Sequence, residues 1–219
     1  MNTVAAFYES SLGKKVVMAV TGVILFAYVI GHMLGNLQIY GPPEQINAYA
    51  TFLHSHPDLL WIVRAFLIFS VGVHIVAAFQ LWLRNRGGRP VKYRVFRPPA
   101  VDYAARTMVW SGPIIAFFVI FHLLDLTTGT VNPSYEELNV YHNVIASFSR
   151  PAVAAFYIAA NFLLAVHLYH GLWSLFQSLG WDHPLLGPWR RRFAVAVSVL
   201  IGAGNISIPI AVLTGIVHL

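Results

Sequence analysis

Val16-Val17-Met18-Ala19-Val20-Thr21-Gly22-Val23-Ile24-Leu25-Phe26-Ala27-Tyr28-Val29-Ile30-Gly31-His32-Met33-Leu34-Gly35-Asn36-Leu37 is the stretch whose reading decides the fold. It passes without one Asp, Glu, Lys or Arg and is long enough to cross hydrocarbon as a helix, which takes about 20 residues. It lacks the period-2 alternation of a barrel strand. A lipid-exposed backbone must satisfy its own hydrogen bonds, so a run of this kind reads as a transmembrane helix.

Working outward, four more such runs follow, at about Leu59–Leu83, Thr107–Thr127, Pro151–Phe176 and Phe193–Val217. The connectors carry turn and charge signals. They are Gly41-Pro42-Pro43, then Arg84 to Arg106 with Gly87-Gly88 and Pro98-Pro99, then Thr128 to Arg150, then Gly180 to Arg192. None is long enough for a second folded unit, so residues 1–219 are expected to form one all-α membrane domain of five spans. The composition agrees: 58% hydrophobic and only 10% charged, far from the balance of a soluble domain. The first run ends in Gly-Asn rather than a small-residue cleavage site, so no cleavable signal peptide is expected.

The net charge of +6 is explained by its placement. Of the 14 Lys and Arg, all but Arg64 and Arg150 fall before span one, between spans two and three, or before span five. Those segments share one side of the membrane. The positive-inside rule then puts the N-terminus in the cytoplasm and the C-terminus outside a prokaryotic cytoplasmic membrane. Contact with anionic lipid is expected and a nucleic-acid partner is not. The chain has no Cys, which excludes disulfides, cysteine-held iron–sulfur clusters and thioether-attached haem within it.

Five histidines lie inside the spans: His32, His74, His122, His167 and His170. Ionisable residues in the bilayer are costly and mark function. His32 and His122 each lie five residues before the outer end of an outward-running span, and His74 and His167 each lie nine residues before the end of an inward-running one. This gives two depth-matched pairs, His32 with His122 toward the outside and His74 with His167 toward the cytoplasm, separated by roughly 10–15 Å at 1.5 Å per residue. Two stacked porphyrins fit that spacing. Two imidazoles fill both axial positions of a haem, which suits electron transfer, and without Cys the haems are b-type. Gly22 and Gly112 each stand ten residues before His32 and His122, at the depth of the other pair, where a missing side chain lets a macrocycle approach the backbone. His170 is the alternative to His167 as ligand. Depth matching favours His167, and Gly171 opens space beside its ring as Ala78 does beyond His74.

Other polar residues are secondary candidates. Arg64, Lys15 and Arg106 stand where they could meet haem propionates. Asp125, one turn after His122, reads as a proton-relay or quinone contact, with an interfacial residue as the alternative. Span five has no interior histidine and reads as a packing helix, with Gly202, Gly204 and Asn205 toward the bundle.

Ser10-Ser11-Leu12-Gly13-Lys14-Lys15, Thr21-Gly22, Gly31-His32-Met33-Leu34-Gly35-Asn36-Leu37, then His74, His122 and His167 through Gly171-Leu172-Trp173, together resemble the cytochrome b558 membrane anchor of succinate dehydrogenases and fumarate reductases. The resemblance covers essentially the whole chain and keeps the order of helices and histidines. It implies a complex in which a flavoprotein with covalent FAD oxidises succinate and an iron–sulfur subunit carries the electrons. The anchor passes them through two haems b to a quinone, usually menaquinone in the single-chain two-haem type. The implied iron ligands are His32, His74, His122 and His167, and neither FAD nor an iron–sulfur cluster belongs to this chain. Quinone is expected beside the outer haem, near Gln38, His54 and Asp125. Two departures stand out. Some fumarate reductases of this type carry a glutamate two residues before the fourth-span ligand, where this chain has Ala165. The region where relatives place a quinol-contacting carboxylate reads Phe52-Leu53-His54-Ser55-His56. The competing readings are the cytochrome b subunit of another quinone-linked oxidoreductase and a haem-free membrane protein whose histidines relay protons.

Overall fold

The computed structural model describes residues 3–87, 103–181, 183 and 187–219, with backbone only at Val4 and residues 103–106. Its elements are α1 (Thr3–Glu9), α2 (Ser11–Asn36), a 3-10 turn (Leu37–Tyr40), α3 (Pro43–His54), α4 (Pro57–Gly87), α5 (Tyr103–Leu126), α6 (Val140–Phe148), α7 (Pro151–Ser178) and α8 (Gly187–Leu213). No strand occurs among the described residues. Five helices are long and apolar enough to cross a membrane: α2 with the 3-10 turn, α4, α5, α7 and α8.

All five expected spans are present, with ends that move for local reasons. Helix α2 starts at Ser11 rather than Val16 because the Ser10 side chain accepts a hydrogen bond from the Gly13 amide at 2.8 Å, an N-cap. Pro43 and Pro151 stand at the first turns of α3 and α7, where the missing N–H costs nothing. Helix α8 takes in Arg190, Arg191 and Arg192 and stops at Leu213 instead of Val217. There the chain turns through Gly215 at φ 74°, a left-handed conformation that glycine adopts without strain.

Two connectors that read as turns in the sequence contain helices. Helices α3 and α6 lie at the His32 end of the bundle, tied by Asn47, whose amide donates to Asn139 Oδ1 at 3.0 Å and accepts from the Tyr141 amide at 3.0 Å. Ile39, Ile46, Val144, Ile145 and Phe148 from this cap pack with Phe118, Tyr157 and Ile208 of the spans into the main buried cluster.

In the spans, α2 packs on α4, α5 on α7 and α7 on α8, while α2 also touches α7 and α8. Among the described residues α2 does not pack closely on α5, nor α4 on α7 or α5. Helix α4 is the extreme case, with only Ser70 and Ala77 buried. Helix α8 is the packing helix expected. A Cβ at Gly202 would sit 2.8 Å from Ala165 Cβ, and one at Gly204 would sit 2.6 Å from Met33 Sδ. Small residues let these backbones close up. Ala165 is therefore enclosed in the α7–α8 contact.

Candidate functional site

The four depth-matched histidines meet in the pairs expected. His32 of α2 and His122 of α5 have ring centroids 5.6 Å apart, and His74 of α4 and His167 of α7 have theirs 6.4 Å apart. Among the described residues, each pair joins two helices that do not pack closely on each other. The backbones stay apart and the imidazoles meet between them.

The spacing between the pairs follows from side-chain contacts. Thr21 touches His74 and Ser111 touches His167. Thr21 stands 11 residues before His32, and Ser111 stands 11 before His122. Both helices thus separate the two pairs by about 16 Å at 1.5 Å per residue.

The ring nitrogens have assigned work. Thr21 Oγ1 donates to the Val17 carbonyl at 2.8 Å, so its lone pair faces His74 Nδ1 at 3.0 Å. The tautomer that satisfies this contact carries its proton on Nδ1 and leaves Nε2 as a free lone pair, the usual arrangement of a metal-binding imidazole. Ser111 Oγ stands 3.4 Å from His167 Nδ1. His122 Nδ1 faces the Tyr157 hydroxyl at 3.4 Å. The Asn36 side-chain amide lies 3.0 Å from His32 Nδ1, and an amide can turn either its oxygen or its nitrogen to that atom.

The donor set fits a haem iron. A transition metal–imidazole bond is about 2 Å and the ring centroid stands roughly 1 Å behind the bonding nitrogen, so two axial rings on one iron have centroids about 6 Å apart. The two observed separations bracket that value. No group of three or more His, Cys, Asp or Glu among the described residues is placed to hold a metal ion. A porphyrin iron brings its own equatorial nitrogens and asks for only two axial ones. Gly22 lies against the His74 ring, where a Cβ would stand 3.5 Å from Cε1, and a Cβ at Gly112 or Gly171 would meet nothing within 4 Å.

The secondary candidates scatter. Arg64 is half-buried, stacks on Trp61 at 5.2 Å and lies within electrostatic reach of Tyr28, whose ring is 5.5 Å from His32. Lys15 is exposed. Its neighbour Lys14 turns inward, buried, donating to Gln80 Oε1 at 2.6 Å and lying 4.0 Å over the Tyr8 ring. The Arg106 side chain lies outside the described residues. Gln38 is half-buried in the 3-10 turn, and His54 is exposed at the end of α3, its Nδ1 2.9 Å from the Ala50 carbonyl. Asp125 has no exposed surface. Arg150 donates to it at 2.7 Å, Tyr157 at 2.9 Å, and Ser147 also donates to it. A quinone would reach Asp125 only by displacing one of these donors.

Sequence reasoning missed Tyr157 and the histidine-facing roles of Thr21 and Ser111. The signal for the two hydroxyls lies in the repeated pairs Thr21-Gly22 and Ser111-Gly112, each of which sets a hydroxyl beside a glycine at the depth of a histidine pair. No family model, no curated protein and no solved structure matches this chain.

Proposed function

We propose that this chain is the two-haem cytochrome b anchor of a succinate:quinone oxidoreductase. In this reading it takes electrons from an iron–sulfur subunit, itself served by a flavoprotein, and delivers them to a quinone in the membrane. The observation that carries the proposal is the meeting of four intramembrane histidines, one from each of the first four spans, in two pairs at iron-clamping separation. A second support is the resemblance of the ordered motifs to cytochrome b558 anchors.

His32 and His122 would hold one haem b, and His74 and His167 the other. A bis-imidazole haem supplies one-electron transfer with no coordination site open to substrate. The protein's part is positional. Thr21 Oγ1 at 3.0 Å from His74 Nδ1 and Ser111 Oγ at 3.4 Å from His167 Nδ1 would each hold a ring with Nε2 turned to iron, and Gly22 keeps the α2 backbone beside the His74 ring clear of side chain. Arg64 is a candidate partner for propionates at the His32–His122 pair. The positive-inside rule, applied to the basic segments, supports a cytoplasmic location for the His74–His167 end. There Arg190, Arg191 and Arg192 line an open cleft of about 760 Å³ with Trp173 and Gln177, and the soluble subunits dock on this side. Quinone reacts at the opposite end, under α3, with Gln38 and His54 in reach.

Purification of the full chain from its native membrane in mild detergent tests the proposal. A flavoprotein and an iron–sulfur protein should accompany it, and succinate should reduce b-type absorption bands in the complex. A chain without b-type bands, or one accompanied by other redox subunits and unresponsive to succinate, overturns it.

A further inference from the structure

The pair His32–His122 differs from its counterpart in what stands behind the ring. Asp125 has no exposed surface, and its carboxylate can only accept. Tyr157, whose hydroxyl lies 2.9 Å from Asp125 Oδ2, must therefore donate to it. The remaining lone pair of that hydroxyl faces His122 Nδ1 at 3.4 Å, so His122 donates from Nδ1 and presents Nε2. Behind the carboxylate, Arg150 at 2.7 Å supplies the compensating charge and Ser147 a further hydrogen bond. Phe118 and Phe148 pack on Tyr157 with ring centroids 5.1 and 4.7 Å away. The chain His122–Tyr157–Asp125–Arg150 thus runs from a buried, aromatic-walled stretch at Tyr157 and Asp125 to the partly exposed Arg150 guanidinium. At the other pair, the hydroxyl behind His74 passes its proton only to a backbone carbonyl of its own helix.

We propose that Tyr157 is the positioning residue of His122 and that, with Asp125, it lowers the reduction potential of the iron held by His32 and His122 without acting on the iron held by His74 and His167. The inference rests on the two-haem reading. Hydrogen bonds in series polarise one another. A carboxylate drawing on the tyrosine proton enriches the tyrosine oxygen, which draws harder on the His122 Nδ1–H and makes Nε2 a stronger donor to iron. Stronger donation favours the oxidised metal. Arg150 keeps the chain poised, because an uncompensated carboxylate in this interior is too costly to persist.

The test is a spectroelectrochemical titration of the purified complex carrying Tyr157→Phe, with Asp125→Asn alongside and Ser111→Ala as the reciprocal control. Tyr157→Phe keeps the ring and deletes the hydroxyl. Outer-shell partners change metal affinity by about 10–100-fold, and the 3.4 Å contact argues for the lower end. The expected result is a rise of about tenfold in the reduced-to-oxidised ratio of one haem at fixed potential, a positive shift of about 59 mV for a one-electron couple. Asp125→Asn should move the same haem the same way, while Ser111→Ala should move only the other. Should Tyr157→Phe fail to accumulate, Asp125→Asn decides on the same readout. Two haems with unchanged potentials, or potentials that move together, overturn this inference and leave the two-haem reading standing. A wild-type complex with no b-type haem overturns both.

Discussion

Replacing Thr21 by Val deletes one hydroxyl and nearly nothing else. The two side chains have the same shape, and the helix keeps its backbone bonds. What disappears is the oxygen 3.0 Å from His74 Nδ1. A net hydrogen bond contributes about 0.5–1.5 kcal/mol, and a buried donor left without a partner costs about 1–3 kcal/mol. The Val methyl that replaces the oxygen cannot accept, but the Met18 carbonyl also takes a hydrogen bond from the His74 ring, so the N–H keeps a partner and the first of the two figures applies. At about 1.4 kcal/mol per tenfold, a haem held by His74 and His167 should bind about 2–10-fold more weakly. The assay is haem transfer from the detergent-solubilised complex to an excess of a soluble haem-scavenging protein. Wild type should release its two haems slowly. Thr21→Val should release one faster by that factor and the other at the wild-type rate, and Thr21→Ser should restore the slow phase. Equal release in Thr21→Val and wild type refutes the claim that this hydroxyl orients a ligand.

Three further outcomes follow from the same geometry. Arg150→Met strands the Asp125 carboxylate, which has no exposed surface, and should cost about 3–5 kcal/mol in a detergent unfolding titration; Arg150→Met with Asp125→Asn should recover most of it. Gly202→Leu drives a side chain into Ala165, 2.8 Å from where even a Cβ would stand, and should cost about 1–3 kcal/mol of overpacking, read as a lower melting temperature of the purified complex. His167→Ala should abolish the low-spin spectrum of one haem, while His170→Ala should leave both haems six-coordinate; the reverse moves the ligand one turn along α7.

The spans and the histidine pairing were legible because both rest on long-range regularities of sequence. A bilayer-length apolar run is hard to mistake, and four histidines counted from span ends fall at two depths whatever the side chains do locally. The packing role of α8 was visible in Gly202 and Gly204 for the same reason. Helices α3 and α6 were not legible. Their apolar positions, Ile46 and Ala50 in one and Val144, Ile145 and Phe148 in the other, make short stripes that need the ends of the spans to form a core. Asp125 was visible as a carboxylate in a span but not as a closed one. Its partners Ser147, Arg150 and Tyr157 lie 22 to 32 residues away in sequence, and only the return of α7 alongside α5 brings them together. Between Lys14 and Lys15, one lysine faces in and its neighbour faces out, which depends on the register of α2 against Gln80 of α4 and not on composition.

The central claim is that each histidine pair holds one haem. Pyridine haemochrome analysis of the intact complex, made with wild type and with His32→Ala, His122→Ala, His74→Ala and His167→Ala, tests it most directly. Wild type should contain about two haems b per chain. The first two variants should lose the same haem, and the last two the other, as identified by the surviving reduced spectrum. One haem or none in the wild-type complex, or variants of one pair that lose different haems, would contradict the account.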